Sequence, residues 1–568
     1  MAETLLSPGV VARETDQSFI QGQPVQAGAA ILGPAAKGPV GIPTLVTSYS
    51  EYQAIFGSDV TSGSQQYEYL TQTSANNYFS QGGTSLLVTR VQSGSFTGAT
   101  STAVSNSLDN TAFELTTLAE GELANSGTAT GTNQTLSDGT KDNVRWEIQG
   151  ANTDTGTFSL IIRRGDDSSK QKNVLETFQD LSLDPKAPNY ISKAIGDTSY
   201  TVSQDGTDYY VKSDGTYVNK SKYVRVSAVN SATPDYFDNN GVAKSAYTAS
   251  IPVDASGSFT GATGTLFDGQ EALFNGAITS ANIQGLDQLD YTQSINLLSN
   301  KDEYRYNLIT APGLNYSDHG TAVNLMVSTV ESRQDAIAVI DLDGYNTAIG
   351  TITSNAAAFD SSYAATYWPW LQTLNTTGQT VWVPASAMIP GVYAFTDKSS
   401  DAWFAPAGLT RGALGNVIKA ERKLTSGNRD TLYAANVNPI ATFPGSGVVV
   451  FGQKTLQKRA SALDRVNVRR LLIELKSYIS QIADNLVFEQ NSIATRNSFL
   501  TQVNPYLEGI QQRQGLYAFK VVMDETNNTA DVVDRNELVG QIYLQPTKTA
   551  EFILLDFNVT PTGASFPA

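Results

Sequence analysis

The one histidine of the chain, His319, stands in the run NYSDHG beside Ser317 and Asp318. These are the residue types of a nucleophilic triad, but a working triad gathers its members from separate elements. Three near neighbours in one turn read instead as a polar loop capping the next helix. A second candidate is Asp341 with Asp343 in AVIDLDG, just after an apolar run, where α/β enzymes hold bases and metal ligands. Two carboxylates without a partner motif define neither role. A glycosidase-type pair is set by separation in space, which 54 scattered acids do not reveal. Cysteine is absent, which removes disulfides, thiolate nucleophiles and Cys-bound metals. The run GPAAKG at 33–38 lacks the Gly-Lys-Ser/Thr ending of a phosphate loop. We therefore expect no catalytic, cofactor-binding or metal-binding residues, and no cofactor.

The elements that would have to position any such group fall into three kinds. Residues 29–32, 85–90, 306–311, 336–342 and 380–384 are short apolar runs separated by helical stretches at 67–79, 322–330 and 386–397. Strand–helix alternation of this kind predicts a partly parallel sheet. Ser50 and Gly57 bracket a further short helix. From Gln92 to about Asp302 the composition turns to Thr, Ser, Asn, Gly and Tyr with short alternating segments, an all-β insertion of one or two domains. The octapeptide SGSFTGAT occurs in it twice, at 93–100 and 256–263, either a duplicated turn or a coincidence. Near the end, Val468, Leu471, Leu472, Leu475, Ile479, Ile482 and Leu486 recur at three- and four-residue spacing, one stripe of a helix. After a polar helical segment come three strand-like runs, 516–523, 538–544 and 551–559.

At 568 residues the chain is long enough for three or four domains. No apolar run is long enough to span a bilayer, so we expect no stable membrane insertion. The N-terminus lacks a basic region followed by an apolar one, so no secretory signal is visible; with the missing cysteines this suits assembly in a reducing cytoplasm. A formal charge of −17 argues against nucleic acid as the main partner. Residues 91–301 hold 14 Lys+Arg against 24 Asp+Glu, whereas 451–520 hold 10 against 5. The basic C-terminal stretch is either an ordinary solvated surface or a face that meets an acidic partner.

Several stretches carry a family resemblance. VNPIATFPGSG, DRVNVRRLLIELKSYI, DETNNT, DRNELVGQIYLQP and AEFILLDF, in that order, resemble the C-terminal domain of contractile phage tail sheath proteins, closest to those of T-even-like phages. LSPGVVARETDQSF at 6–19 and AAILGPAAKGPVGIPTLVTSYSEYQAIFG at 29–57 resemble the other end of the family, while 91–302 resembles it only weakly.

The resemblance implies a multidomain α+β chain. Its parts would be an N-terminal arm (1–22), a discontinuous α/β domain (23–91 with 303–440), an inserted β-rich outer region (92–302) and a C-terminal helix-plus-sheet core (441–568). Neighbouring chains would complete that core. The acceptor sheet would include Leu516, Tyr517, Phe519, Val521, Leu538, Val539, Ile542 and Tyr543. One neighbour would add a strand from Val10, Val11, Ala12, Arg13 and Glu14, although the same run also reads as a frayed terminus or an edge strand of its own sheet. Another would add Glu551, Phe552, Ile553, Leu554, Leu555, Asp556 and Phe557. Arg465, Arg469, Arg470 and Lys476 become candidates for a face toward the tail tube or a neighbouring subunit.

The implied function is a helical homo-oligomer around a tail tube, bounded by baseplate and tail terminator proteins, that contracts to drive the tube through the host envelope. It would reside in the virion and assemble in the host cytoplasm. A bacterial contractile injection system would use the same parts. A glycan-binding or glycan-degrading tail adhesin is the rival of another class, and a soluble enzyme centred on Asp341 or Asp343 a more distant one.

Overall fold

Two distant parts of the chain build one mixed eight-stranded sheet. The computed structural model describes residues 25–62, 65–206, 208–265 and 278–551. Strands β1 (Ala29–Gly33), β2 (Thr44–Val46) and β3 (Leu86–Arg90) precede the insertion. Strands β4 (Leu308–Asn315), β5 (Ile337–Asp341), β6 (Ala364–Trp368), β7 (Asn438–Phe443) and β8 (Gly447–Val450) follow it. Their spatial order is β8-β7-β6-β5-β4-β1-β3-β2. β1 lies parallel between β3 and β4, with Ala30 opposite both Leu87 and Ile309. Only the outermost strands, β2 and β8, run antiparallel to their neighbours.

A parallel sheet is covered on both faces, so its strands are apolar without alternation. β1, β3, β5 and β6 are buried at every position. Helices α1 (Leu70–Ser80) and α3 (Ala385–Ser399) pack together over one face, where Ala75, Tyr78, Met388 and Val392 are buried. Helix α2 (Tyr316–Arg333) covers the other with Val323, Met326 and Val330.

Several boundaries differ from expectation. Ile283, Leu286, Tyr291, Ile295 and Leu298 belong to the core beneath α2, so residues 278–302 pack with the α/β sheet and not with the insertion. β7 and β8 close that sheet's edge, so residues 438–450 belong with it and not with the C-terminal core. β6 lies in a run that was not among the expected strands. Thr380–Val383 is a strand, but of a separate three-stranded sheet with Leu371–Leu374 and Val417–Ala420. The short helix Tyr49–Phe56 is capped by Ser48, not Ser50: the Ser48 hydroxyl accepts from the Glu51 N–H.

Residues 98–260 form two main antiparallel sheets, one of four strands around Val144–Asn152 and one of five around Thr111–Glu120, with two small two-stranded sheets, Ala129–Thr130 with Thr135–Leu136 and Ser199–Asp205 with Asp208–Asp214. Phe113 of one sheet stacks on Phe158 of the other, and a single core lies between them, so this is one sandwich. The repeated octapeptides lie side by side where the insertion begins and ends. Thr100 pairs with Thr260 and Ser101 with Phe259, while the Thr97 N–H donates to the Thr263 carbonyl. The duplication thus works as a staple that brings the insertion's two ends together.

On the outer face of the four-stranded sheet, opposite the core side chains Trp146 and Ile162, Arg145 sits directly across from Arg163, a like-charged cross-strand pair that would repel if unaided. Asp167 receives Nε and Nη2 of Arg163 at 2.7 and 2.8 Å, and Glu147 receives Nη1 at 2.8 Å. All four side chains are nearly excluded from solvent. Removing the central carboxylate leaves two buried guanidiniums with only Glu147 to compensate them. Asp167→Asn is expected to destabilise the sandwich by about 3 kcal/mol, read as a downward shift of its transition in a thermal melt.

Candidate intersubunit interface

The stripe near the C-terminus folds as helix α4 (Val466–Asp484), a single connection at 485–492 leads to α5 (Ile493–Gln512), and a hairpin of β9 (Leu516–Val522) and β10 (Gln541–Pro546) follows. Leu471, Leu475 and Ile482 of α4 meet Phe499, Val503, Leu507 and Ile510 of α5, positions spaced by three and four. Tyr478 stacks on Tyr506 between the two helices. Trp403 enters from the α/β domain and donates its indole N–H to the Arg513 carbonyl at 3.1 Å.

The hairpin lies on this platform by its inward positions. Leu516 is buried and Phe519, Val521, Ile542 and Leu544 are half-buried against the helices, whereas Tyr517 and Tyr543 point outward and are exposed. Phe519 pairs with Leu544 and Val521 with Ile542. Among the described residues this sheet has two strands only, so each strand has a partner on one side and an open edge on the other. Leu538 and Val539 were expected in the second strand and are not. The Asn528 side chain takes the place of a strand there, donating to the Val539 carbonyl and accepting its N–H, both at 2.9 Å. That amide occupies the backbone groups a ladder would use, and the strand begins at Gln541.

The basic candidates do not form one solvent-facing patch. Arg470 gives Nη2 to both oxygens of Asp397 at 2.7 and 2.6 Å and covers the Tyr393 ring, bolting α4 onto α3. Arg469 donates to the carbonyl and hydroxyl of Ser362 and stacks on Tyr363. Both guanidiniums are buried because the first turn of α4 is enclosed on all sides: residues 466–471 are all buried. Of the four, only Lys476 is solvent-exposed, reaching Gln334 and the Tyr363 hydroxyl. An apolar stripe does not reveal this enclosure, which comes from the neighbouring domain.

Arg465 has another use. Its Nε and Nη2 donate to the two carboxylate oxygens of Glu551 at 2.7 and 2.9 Å. The Tyr433 hydroxyl adds 2.7 Å and Gln453 Nε2 adds 3.0 Å to the same carboxylate. Burial opposes ionisation of Glu551, but these donors outweigh it and hold the carboxyl below its ordinary range. Glu551, expected at the start of a strand given to a neighbour, is instead bound by its own chain. Val10, Val11, Ala12, Arg13 and Glu14, and Phe552 to Phe557, lie outside the described residues.

The groups that tempted a catalytic reading are held by structure. His319 is fully buried; its Nδ1 accepts from the Asn315 N–H at 3.1 Å and its Nε2 lies 2.9 Å from the Thr279 carbonyl. Burial lowers its pKa, which suits the neutral ring these two contacts require. Ser317 is exposed and makes no contact with it. Asp343 accepts from Gly344 and Asn355. Asp341 is buried at the end of β5, where the N–H and hydroxyl of Ser386, at the start of α3, both donate to it. Among the described residues no group of three or more His, Asp or Glu is placed to hold a metal ion, and no helix is long and apolar enough to cross a membrane.

Residues 282–456 match the phage tail sheath protein central domain, and residues 459–560 the phage tail sheath C-terminal domain. A tail sheath protein of Vibrio phage KVP40 is 38% identical over 250 residues, 42% of this chain and 36% of that protein. The tail sheath protein of Enterobacteria phage T4 is 40% identical over 232 residues, 40% of this chain and 35% of that one. The matched stretch thus spans about a third of the length of these relatives. The crystal structure of a sheath tail protein from Listeria innocua shares the fold, at a TM-score of 0.51 and 12% identity over 92% of this chain and 95% of the other.

Asp341 makes stability depend on pH. Burial pushes its pKa from 3.8 up to about 7 against the hydrogen bonds from Ser386. The folded state therefore keeps a proton that the unfolded chain gives up above pH 3.8, and stability falls as pH rises toward 7. The full effect corresponds to about 4 kcal/mol. Asp341→Asn is expected to stabilise the α/β domain at pH 8 and to leave it unchanged near pH 3.5, measured by denaturant unfolding at each pH.

Proposed function

We propose that this chain, whose residues 282–456 and 459–560 match the central and C-terminal domains of phage tail sheath proteins, is the repeating subunit of a contractile tail sheath. One observation carries the reading beyond resemblance: among the described residues the C-terminal sheet is a two-stranded ribbon, open on both edges and set on a helical platform. A ribbon of two strands is marginal by itself and is a template for strands from other chains. The N-terminal arm at Val10–Glu14 of one neighbour would fill one edge, and residues 552–557 of another the second. Five paired residues supply about five backbone hydrogen bonds, on the order of 5 kcal/mol for each arm.

Such a contact is heterologous, because arm and acceptor are different surfaces. Repeated without closing on itself it generates an open helix. Backbone pairing links subunits through flexible joints, so rigid bodies can rotate between an extended and a contracted packing without losing their neighbours. The tail tube, baseplate and tail terminator would hold the extended form until it is triggered, and gain of intersubunit contact would drive contraction. The subunit would be assembled in the host cytoplasm and reside in the virion. The sandwich at residues 98–260 has its own core and would decorate the outside.

Electron microscopy of the purified protein is expected to show wide hollow helical tubes. Deleting residues 1–18 should leave folded monomers that no longer polymerise, and tubes of normal order from that variant would overturn strand donation. Replacing residues 92–265 by a short Gly/Ser linker should preserve tubes of reduced outer diameter; loss of assembly with the α/β domain still folded would show the sandwich is not peripheral.

A further inference from the structure

The chain leaves β10 at Pro546 and runs through residues 547–551 without regular structure. Thr547 is held at the hairpin, its N–H donating to the Gly515 carbonyl and its hydroxyl to that of Gln514. Lys548, Thr549 and Ala550 are exposed. Then Glu551 enters the four-donor site of Arg465, Tyr433 and Gln453. Gln453 also donates to the Thr549 hydroxyl at 2.6 Å. The three residues that hold Glu551 come from different places: Tyr433 from the α/β domain, Gln453 from the connection after β8, and Arg465 from the N-cap of α4. The Lys454 ammonium donates to the Tyr433 carbonyl and lies over the Tyr433 ring, steadying that side.

We infer that Glu551 is a positioning residue for intersubunit linkage: it pins the last residue before the C-terminal segment to the seam between the two domains. This rests on the strand-donation reading above. The physical consequence is register and slack. With Glu551 held, the segment that reaches a neighbour starts at Phe552 from a fixed point. With Glu551 released, residues 548–551 become part of the tether and add up to about 14 Å of reach. A strand whose origin can move by that distance can pair in several registers, because one face of a ribbon does not by itself select among shifts of two residues. A pull on the C-terminal segment also bears on all three donor residues at once, so the clamp transmits load into both domains instead of unravelling the hairpin.

The test compares four forms of the full chain: wild type, a truncation after Glu551, Glu551→Ala and Glu551→Gln. Limited proteolysis of monomers by trypsin reads the clamp itself, and electron microscopy of assemblies reads its consequence. Cleavage after exposed Lys548 is expected to quicken about tenfold or more in Glu551→Ala, the equivalent of losing one charged hydrogen bond, and less in Glu551→Gln, which keeps an acceptor oxygen. Tubes of Glu551→Ala are expected to lose uniform twist and rise. A short bis-maleimide joining Arg465→Cys to Glu551→Cys, specific in a chain without cysteine, should restore them. Unchanged cleavage after Lys548, or Glu551→Ala tubes with wild-type helical order, overturns the anchor. Normal tubes from the truncated chain would instead overturn strand donation itself, a separate result.

Discussion

A two-stranded antiparallel ribbon cannot satisfy its own outer edges. Among the described residues β9 and β10 each have an edge with no strand along it, and the side chains of Gln511 and Asn527 donate only to the Tyr517 and Val522 carbonyls. Much else in the C-terminal region follows from carrying such an edge at a fixed orientation. The hairpin is fastened by its inward side chains to two long helices, so the ribbon cannot twist away from whatever approaches it. Outward-pointing Tyr517 and Tyr543 leave the other face free of the core. The Asn528 amide ends the ladder by occupying Val539.

The platform must in turn be rigid with respect to the α/β domain, and that is where the basic residues act. Arg469 and Arg470 face inward at the enclosed start of α4, each held by polar partners and stacked on a tyrosine. Pairing of this kind contributes little net stability compared with an apolar contact of the same size, but breaking it would strand a buried charge. It therefore fixes geometry more than it adds strength. Arg465 and Glu551 extend the same logic to the point where the chain leaves the seam.

The long-range logic of the α/β domain is different. Its sheet places β1 between β3 and β4, which are separated by more than two hundred residues of sequence. The insertion is tolerated because its two ends meet: identical octapeptides pair with each other at the root of the sandwich. Loop-closure cost grows only slowly with length once the ends are held together.

Sequence alone determined the local elements and the kind of chain. The apolar stripe of α4, the strand runs of the hairpin and the alternation of strands and helices depend on spacing within ten or twenty residues, and a linear pattern carries that information. The same holds for the β character of the insertion and for the absence of cysteine chemistry. Tertiary structure decided what depends on neighbours distant in sequence. Residues 278–302 look like the end of the insertion yet pack beneath α2. Arg469 and Arg470 look like surface charge until Asp397 and Ser362 arrive from another domain. Glu551 looks like the first residue of a strand until Arg465, 86 positions earlier, binds it. A side chain's partner lies in space, and composition and periodicity describe only the chain on either side of it.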